Sequence, residues 1–206
     1  MDDALTAISE AFDERAATYD ESRMHRDLAA AVAAFIETEG LDDVLDVATG
    51  TGLVLRALAE RAPDLHLIGA DISPGMLAVA RAELPTAEWL VADASRVPLP
   101  DGSVDLITCV TALHIIPDVE RAAAEWHRLL RAGGRLVTAS FVSTTSTAHA
   151  AHPPSPERPY PRDHEPYAGA AVLTATFAAL GFVVRRHEEW SDGHDTLLIA
   201  ELAPAA

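Results

Sequence analysis

The sequence contains no lysine, because all 15 of its basic residues are arginine. A lysine amine forms the Schiff base of pyridoxal enzymes, cradles phosphate in P-loop proteins and serves some enzymes as a general base, so these classes are excluded. Cys109 is the single cysteine. One cysteine allows neither a disulfide framework nor a cysteine metal cluster, and a reducing cytoplasmic location is expected.

Positive charge is scarce in this chain. The formal net charge is −17, and no arginine-rich stretch offsets it. Such a surface repels phosphate backbones and anionic membranes. The N-terminus resembles no secretory signal, and no apolar run reaches membrane-spanning length. We therefore expect a small molecule as the partner, with neither nucleic acid nor a membrane, while a monomer and a homodimer stay equally open.

The hydrophobic pattern predicts an α/β fold in a single domain, residues 1–206. Residues 3–38 have apolar side chains at helical spacing, which indicates two amphipathic helices with a polar break at residues 19–24. Predicted strands then follow at residues 44–47, 65–69, 88–91, 104–109, 135–141, 182–186 and 196–201, and predicted helices at 53–61, 74–83, 119–130 and 169–180. This alternation predicts a Rossmann-like, doubly wound, seven-stranded sheet with helices on both faces, whose last two strands form an antiparallel hairpin.

The most informative motifs follow the first three predicted strands. Residues 44–53 read VLDVATGTGL, a strand that runs into a turn with Gly50 and Gly52 and then into a helix. Glycine lets a ligand approach the backbone closely. Asp71 follows the second strand in GADISPGML, and Asp93 follows the third in VADA. An acidic side chain at a strand end can accept both hydroxyls of a ribose.

These segments resemble the cofactor motifs of class I S-adenosylmethionine-dependent methyltransferases, in particular the small-molecule group that includes the ubiquinone/menaquinone-biosynthesis methyltransferases. The likeness extends from about residue 12 to residue 202. It includes PLPDGSVDLI at 98–107, ALHIIPD at 112–118 and LLRAGGRL at 129–136. The resemblance implies the cofactor S-adenosyl-L-methionine and transfer of its methyl group to oxygen, nitrogen or carbon of a small metabolite.

The resemblance also implies a set of cofactor-binding residues. They are Gly50 and Gly52 beneath the methionine part, Asp46 at the turn and the methionine amino group, Asp71 on the ribose, Met76, Asp93 and Ala94 on the adenine, and Ile72, Val110 and Tyr19. Tyr19 lies in a stretch that matches the family segment folding over the cofactor. A half-buried tyrosine at a helix end is an equally good interpretation of that residue.

The resemblance divides the domain into four parts. Residues 1–40 are the N-terminal cap helices, 41–142 the cofactor-binding core, 143–167 a lid-like insertion, and 168–206 the C-terminal helix and hairpin. The lid-like segment has no usable periodicity and is too long for a plain connection. We expect it to cover the acceptor pocket, although a surface insertion without a role would have the same composition.

Histidine is the candidate catalytic residue type, because its ordinary pKa lies near working pH. His114 follows the fourth strand, where the family's substrate pocket begins, although a histidine there can also merely pack or cap. His149, His152, His164 and Tyr167 are candidates for the substrate pocket, with solvated loop positions as the alternative. We expect no metal, because the spacing of His149 and His152 is not diagnostic of a ligand set.

Two other functions fit parts of the pattern. A nicotinamide-dependent oxidoreductase also needs a glycine-rich turn and an acidic residue after the second strand. Its third glycine would fall at Leu55, and Asp93 would have no role in it. A non-methylating protein that binds S-adenosylmethionine or rearranges its substrate on the same fold stays open, since fold alone does not fix function.

Overall fold

A computed structural model describes residues 3–142 and 160–205. Its centre is one seven-stranded sheet. The strands are β1 (Asp43–Val47), β2 (His66–Asp71), β3 (Glu88–Val91), β4 (Val104–Val110), β5 (Leu130–Phe141), β6 (Phe182–Ser191) and β7 (Thr196–Pro204). They lie in the order β3-β2-β1-β4-β5-β7-β6. The first five strands are parallel, and β7 is antiparallel to both β5 and β6. The predicted doubly wound sheet with a C-terminal hairpin is confirmed.

Helices cover both faces of this sheet. They are α1 (Asp3–Asp13), α2 (Arg23–Phe35), α3 (Leu53–Arg61), α4 (Pro74–Glu83), α5 (Val119–Leu129) and α6 (Ala170–Ala179). Because side chains alternate along a strand, Val44 packs with α2, α3 and α4, whereas Leu45 packs with α5 and α6. Burial on both faces explains why the parallel strands read as continuous apolar runs.

Several element boundaries differ from the predicted ones. The break between α1 and α2 contains a short 3-10 helix at Ala16–Glu21. Strand β5 begins at Leu130, because Leu130 pairs with Val104 before a register shift. The two hairpin strands are also longer than predicted, since they pair with each other along their whole length, from Phe182 with Pro204 to Ser191 with Thr196.

The sheet reverses its strand order between β1 and β4. Helices α3 and α5, which follow these two strands, lie on opposite faces, and such a switch point leaves a crevice at the carboxyl ends of the strands. The residues that leave the two strands, Ala48 and Thr111, have φ of 51° and 54°. Backbone in this region is uncommon for residues other than glycine and is concentrated at functional sites.

The N-terminal segment is fastened across this crevice. The Ser9 hydroxyl donates a hydrogen bond to the Ile72 carbonyl at 2.9 Å. The Asp13 carboxylate accepts one from the Gly75 backbone N–H at 2.7 Å and another from the Ser73 hydroxyl. Among the described helices, none is long and apolar enough to cross a membrane.

Candidate active site

A cavity lies at the switch point, where the strand order of the sheet reverses. It is bounded by the carboxyl ends of β1, β2 and β4 and by α1 from above. The predicted cofactor residues that line it are Tyr19, Gly50, Asp71, Ile72, Asp93, Ala94 and Val110. The structure therefore brings together seven residues from five separate stretches of the chain.

Asp71 organises the floor of this cavity. Its two carboxylate oxygens accept hydrogen bonds from the backbone N–H groups of Gly50 and Ser73, each at 2.8 Å. The side chain is 8% exposed, and burial raises its pKa despite these hydrogen bonds. Each carboxylate oxygen has a second lone pair, so the group can hold the glycine-rich turn and also accept from ligand hydroxyls.

The two glycines of the turn have different roles. Gly50 has φ of 57°, lines the cavity and has no atom within 4 Å of the position where a Cβ would lie. Its bare backbone therefore faces open space that a ligand can fill. Gly52 has φ of 78°, does not line the cavity, and would place a Cβ 2.5 Å from Cη2 of Trp89. Close packing against Trp89 therefore explains why position 52 needs a residue without a side chain. The predicted place of Gly52 beneath the methionine part of the cofactor stays a prediction.

A second cavity continues the first one past Gly50. The residues common to both are Tyr19, Ala48, Gly50, Val110 and Thr111. Leu53 and Val54, in the first turn of α3, line this second cavity, and the N-cap Gly52 has no side chain to cap the helix. The uncapped backbone N–H groups and the positive end of the helix dipole favour an anionic group at this place.

Asp46 lies at the bottom of the second cavity and is 2% exposed. Its carboxylate accepts hydrogen bonds from the hydroxyls of Thr49 and Thr108, each at 2.6 Å. Thr108 reaches it because β1 and β4 pair in the register Asp46 with Thr108. Burial raises the pKa of Asp46 to about 6, against the opposing effect of the two hydroxyls.

This raised pKa predicts a pH dependence of stability. The native carboxyl binds a proton below about pH 6, whereas the unfolded one does so only near its ordinary pKa, so the native state holds more protons in between. The free energy of unfolding should fall by about 2 kcal/mol as the pH rises from about 4.5 to about 6.5. Urea unfolding of the wild type and of Asp46→Asn at both pH values measures this difference. An equal change in the two proteins would contradict it.

An aromatic cover closes the cavities on the side of the N-terminal segment. The ring of Phe12 lies 6.0 Å from that of Tyr160 and 6.4 Å from that of Tyr19, and the Arg15 guanidinium lies over Phe12 and Tyr19 at 5.1 and 5.5 Å. Burial raises the pKa of the Tyr19 hydroxyl. Asp20 fastens this cover by accepting hydrogen bonds from Arg56, at 2.7 Å, and from the Thr51 hydroxyl.

His114 does not line either cavity. Its ring stacks on that of His164, with centroids 4.1 Å apart, and meets the edge of Phe141 at 5.9 Å. Burial, His164 and Arg162 lower the pKa of His114 to about 3. The imidazole is therefore neutral at working pH and a weak base, so its predicted catalytic role stays a prediction that this geometry does not favour.

The other predicted residues lie in three different environments. Met76 is fully buried in the first turn of α4 and does not line either cavity, so its predicted contact with adenine stays a prediction. Tyr167, a predicted pocket residue, is 4% exposed and belongs to the core with Leu173 and Phe177. The predicted pocket residues His149 and His152 lie outside the described residues. Within residues 3–142 and 160–205, no group of three or more histidine, cysteine or acidic side chains can hold a metal.

Sequence reasoning missed much of the lining. The additional residues are Leu5, Ile8, Phe12, Ala48, Ala92, Thr111, Ala112, Ile115, Ile116 and Pro117 in the first cavity, with His25, Leu28, Ala29, Thr49, Thr51, Leu53 and Val54 in the second. Most of them are apolar, so that nothing in their type separates them from core residues. The motif ALHIIPD had marked the correct segment after β4, but only its histidine had been singled out.

The arrangement fits S-adenosylmethionine. Asp71 and Asp93, on the first cavity, offer acceptors to ribose hydroxyls and an adenine edge, whereas apolar side chains offer a surface to the base. The open space beside Gly50 leads to the uncapped start of α3, where the amino-acid carboxylate would lie. A nicotinamide dinucleotide would leave Asp46 and the second cavity unexplained.

Comparison with known proteins agrees with this geometry. Residues 45–138 match the model of a family described as a methyltransferase domain. The demethylmenaquinone methyltransferase of Thermus thermophilus is 42% identical over 102 residues, which cover 48% of this chain and 46% of that protein. The chain thus matches about half the length of its curated relatives.

Two solved structures share the fold over nearly their whole length. One is a putative methyltransferase of Haloferax volcanii in complex with the Trm112 methyltransferase activator, with a TM-score of 0.77, 22% identity, and coverage of 95% of this chain and 98% of that one. The other is a DhpI–SAH complex, with a TM-score of 0.71, 23% identity, and coverage of 98% and 97%. The glycine-rich turn and the acidic strand ends lie within the part of the chain that is similar to the S-adenosylmethionine-dependent methyltransferases.

Proposed function

We propose that this protein transfers the methyl group of S-adenosylmethionine to oxygen, nitrogen or carbon of a small-molecule acceptor. The observation that carries the proposal is the pair of cavities that meet at Gly50, with the Asp71 carboxylate at one end and the uncapped start of α3 at the other. A carboxylate at one end and a helix start at the other suit an adenosine joined to an amino acid. A net charge of −17 supports a small-molecule acceptor over a nucleic acid.

The chain would promote the reaction chiefly by positioning. When bound, S-adenosylmethionine supplies a methyl group that is already activated by the positive sulfur. Asp71 and the glycine-rich turn fix one end of the ligand, while Phe12 and Tyr19 exclude water from above. Alignment of two reactants can lower a barrier by roughly 7–11 kcal/mol, whereas a general base contributes about 10²–10⁴-fold in rate.

The acceptor would enter beside the N-terminal cover and the segment after β5. Residues 143–159 of the proposed lid, 143–167, lie outside the described residues, and support comes from its remaining part. Tyr160 stacks on Phe12, and His164 stacks on His114. The first contact brings the end of the lid against the cap helices, 1–40, and the second brings it against the segment after β4. A cover made from two distant parts of the chain would require contacts of the first kind.

The lowered pKa of His114 predicts the form of the pH–rate profile. An imidazole with a pKa of about 3 is already unprotonated from pH 5 to pH 9, so it contributes no ionisation in that range. We expect His114→Ala to leave the shape of the kcat/KM profile unchanged there. A limb near pH 6 to 7 that is present in the wild type and absent from the variant would restore His114 as the base.

Labelled methyl transfer tests the activity itself. The protein is incubated with methyl-labelled S-adenosylmethionine and a fractionated metabolite extract, and labelled products are identified by mass. We expect one small product that carries an added methyl group, and boiled protein as a control should give none. Binding of the cofactor without any labelled product in any fraction would instead support the non-methylating alternative.

A further inference from the structure

One polar atom in the second cavity has no partner. His25 lies in the first turn of α2 and lines this cavity together with Asp46, Gly50 and Thr51. Its Nδ1 is buried and makes no hydrogen bond in the described structure. A buried polar atom without a partner is uncommon and costs roughly 1–3 kcal/mol, so its presence at a cavity indicates that a ligand completes it.

The orientation of the His25 ring is fixed by its neighbour. The rings of His25 and Tyr19 are parallel within 4°, with centroids 4.6 Å apart. Burial, reinforced by Arg15, lowers the pKa of His25, so the ring is neutral at working pH. One ring nitrogen of a neutral imidazole donates and the other accepts, and either role can suit a zwitterionic amino acid.

The surroundings indicate which part of the cofactor would reach this atom. Asp71 and Asp93, which suit the adenosine, line the first cavity, whereas His25 lines only the second. The second cavity also contains the buried Asp46 carboxylate and the uncapped start of α3, which suit an ammonium and a carboxylate. An α-amino acid presents both of these groups at one carbon atom.

We propose that Nδ1 of His25 hydrogen-bonds to the α-amino-acid end of S-adenosylmethionine, which makes His25 a further cofactor-binding residue. Tyr19 holds the imidazole in place by stacking, so that these two residues of the N-terminal segment act together. The N-terminal segment would then sense the amino-acid end of the cofactor directly. This inference rests on the proposed function.

The test pairs a residue change with a truncated ligand. Calorimetry measures the affinities of the wild type and of His25→Phe for S-adenosylhomocysteine and for 5′-methylthioadenosine, which lacks the amino-acid end. Phenylalanine keeps the ring that stacks on Tyr19 and removes both nitrogens. We expect His25→Phe to weaken S-adenosylhomocysteine binding roughly tenfold and to change methylthioadenosine binding less than about twofold.

A second pair of variants locates the atom. Asparagine places its amide near the position of Nδ1, whereas glutamine places its amide near that of Nε2, so we expect His25→Asn to retain more affinity for S-adenosylhomocysteine than His25→Gln. This ranking also decides the question if His25→Phe does not fold. Three results would overturn this inference but not the proposed function. They are an equal loss of affinity for both ligands in His25→Phe, no loss of affinity for S-adenosylhomocysteine in that variant, and a higher affinity for S-adenosylhomocysteine in His25→Gln than in His25→Asn. Failure of the wild type to bind S-adenosylhomocysteine would overturn the proposed function as well.

Discussion

Replacing Asp71 with alanine should weaken the affinity for S-adenosylhomocysteine at least tenfold. The carboxylate is the proposed acceptor for the ribose hydroxyls, and loss of a hydrogen bond to a charged group costs roughly 1.5–3 kcal/mol. The same carboxylate also accepts from the backbone N–H groups of Gly50 and Ser73. The variant therefore loses a ligand contact and the bond that holds the glycine-rich turn against β2.

Calorimetry of Asp71→Ala and of Asp64→Ala measures this effect. Asp64 is an exposed aspartate between α3 and β2 that lies outside the cavities, so that its replacement makes the same change in net charge. We expect the control to bind as the wild type does. Unchanged affinity of Asp71→Ala would show that the ribose is held elsewhere.

Replacing Gly69 with alanine should destabilise the fold by about 3 kcal/mol or more, at or above the upper end of ordinary overpacking. A Cβ at this position in β2 would lie 2.3 and 2.4 Å from two ring carbons of Trp89 and 3.0 Å from Cγ2 of Thr49. Trp89 cannot move away easily, because its ring is 9% exposed and its indole N–H donates to the Leu84 carbonyl at 3.1 Å.

Urea unfolding of three variants separates this clash from other effects. Trp89→Leu removes the ring, and the double variant Gly69→Ala/Trp89→Leu should then be more stable than the sum of the two single changes predicts. Two results would contradict the packing of Trp89 against β2, α4 and the glycine-rich turn. One is a urea midpoint of Gly69→Ala equal to that of the wild type, and the other is a loss of unfolding free energy in the double variant equal to the sum of the two single losses.

The fold and the floor of the site follow from local patterns. The alternation of strand and helix patterns predicted the strands and helices of the sheet. The position of Asp71 directly after a strand predicted that its carboxylate lies at the carboxyl edge of the sheet. The place of Gly50 in the cavity lining was predictable for a similar reason, because backbone that borders a ligand site favours a residue without a side chain. The predicted helices 53–61 and 74–83 agree with α3 and α4, since Gly52 and Ser73 mark their starts.

The cover and the true environments of several candidates depend on tertiary contacts that no local pattern encodes. Leu5 and Ile8 have the spacing of any amphipathic helix, yet they border the cavity because Ser9 and Asp13 fasten α1 across the strand ends. His25 lies in a polar stretch without a motif. Its proposed role rests on its stacking on Tyr19 and on its unpartnered nitrogen, which no local pattern shows.

His114 is the opposite case, in which the residue type suggests a role that the surrounding contacts do not favour, so that the role stays a prediction. Histidine is a common base because its ordinary pKa lies near neutrality, and the segment after β4 does border the cavity. The ring itself, however, packs between His164 and Phe141, where burial stabilises its neutral form. Desolvation of this kind depends on contacts between residues far apart in the sequence.

The cofactor assignment is tested most directly by calorimetric titration of the wild-type protein with S-adenosylhomocysteine and, separately, with NAD⁺. The cavities that meet at Gly50 predict saturable binding of one S-adenosylhomocysteine per chain and no saturable binding of NAD⁺. Saturable binding of NAD⁺ together with no binding of S-adenosylhomocysteine would contradict the assignment.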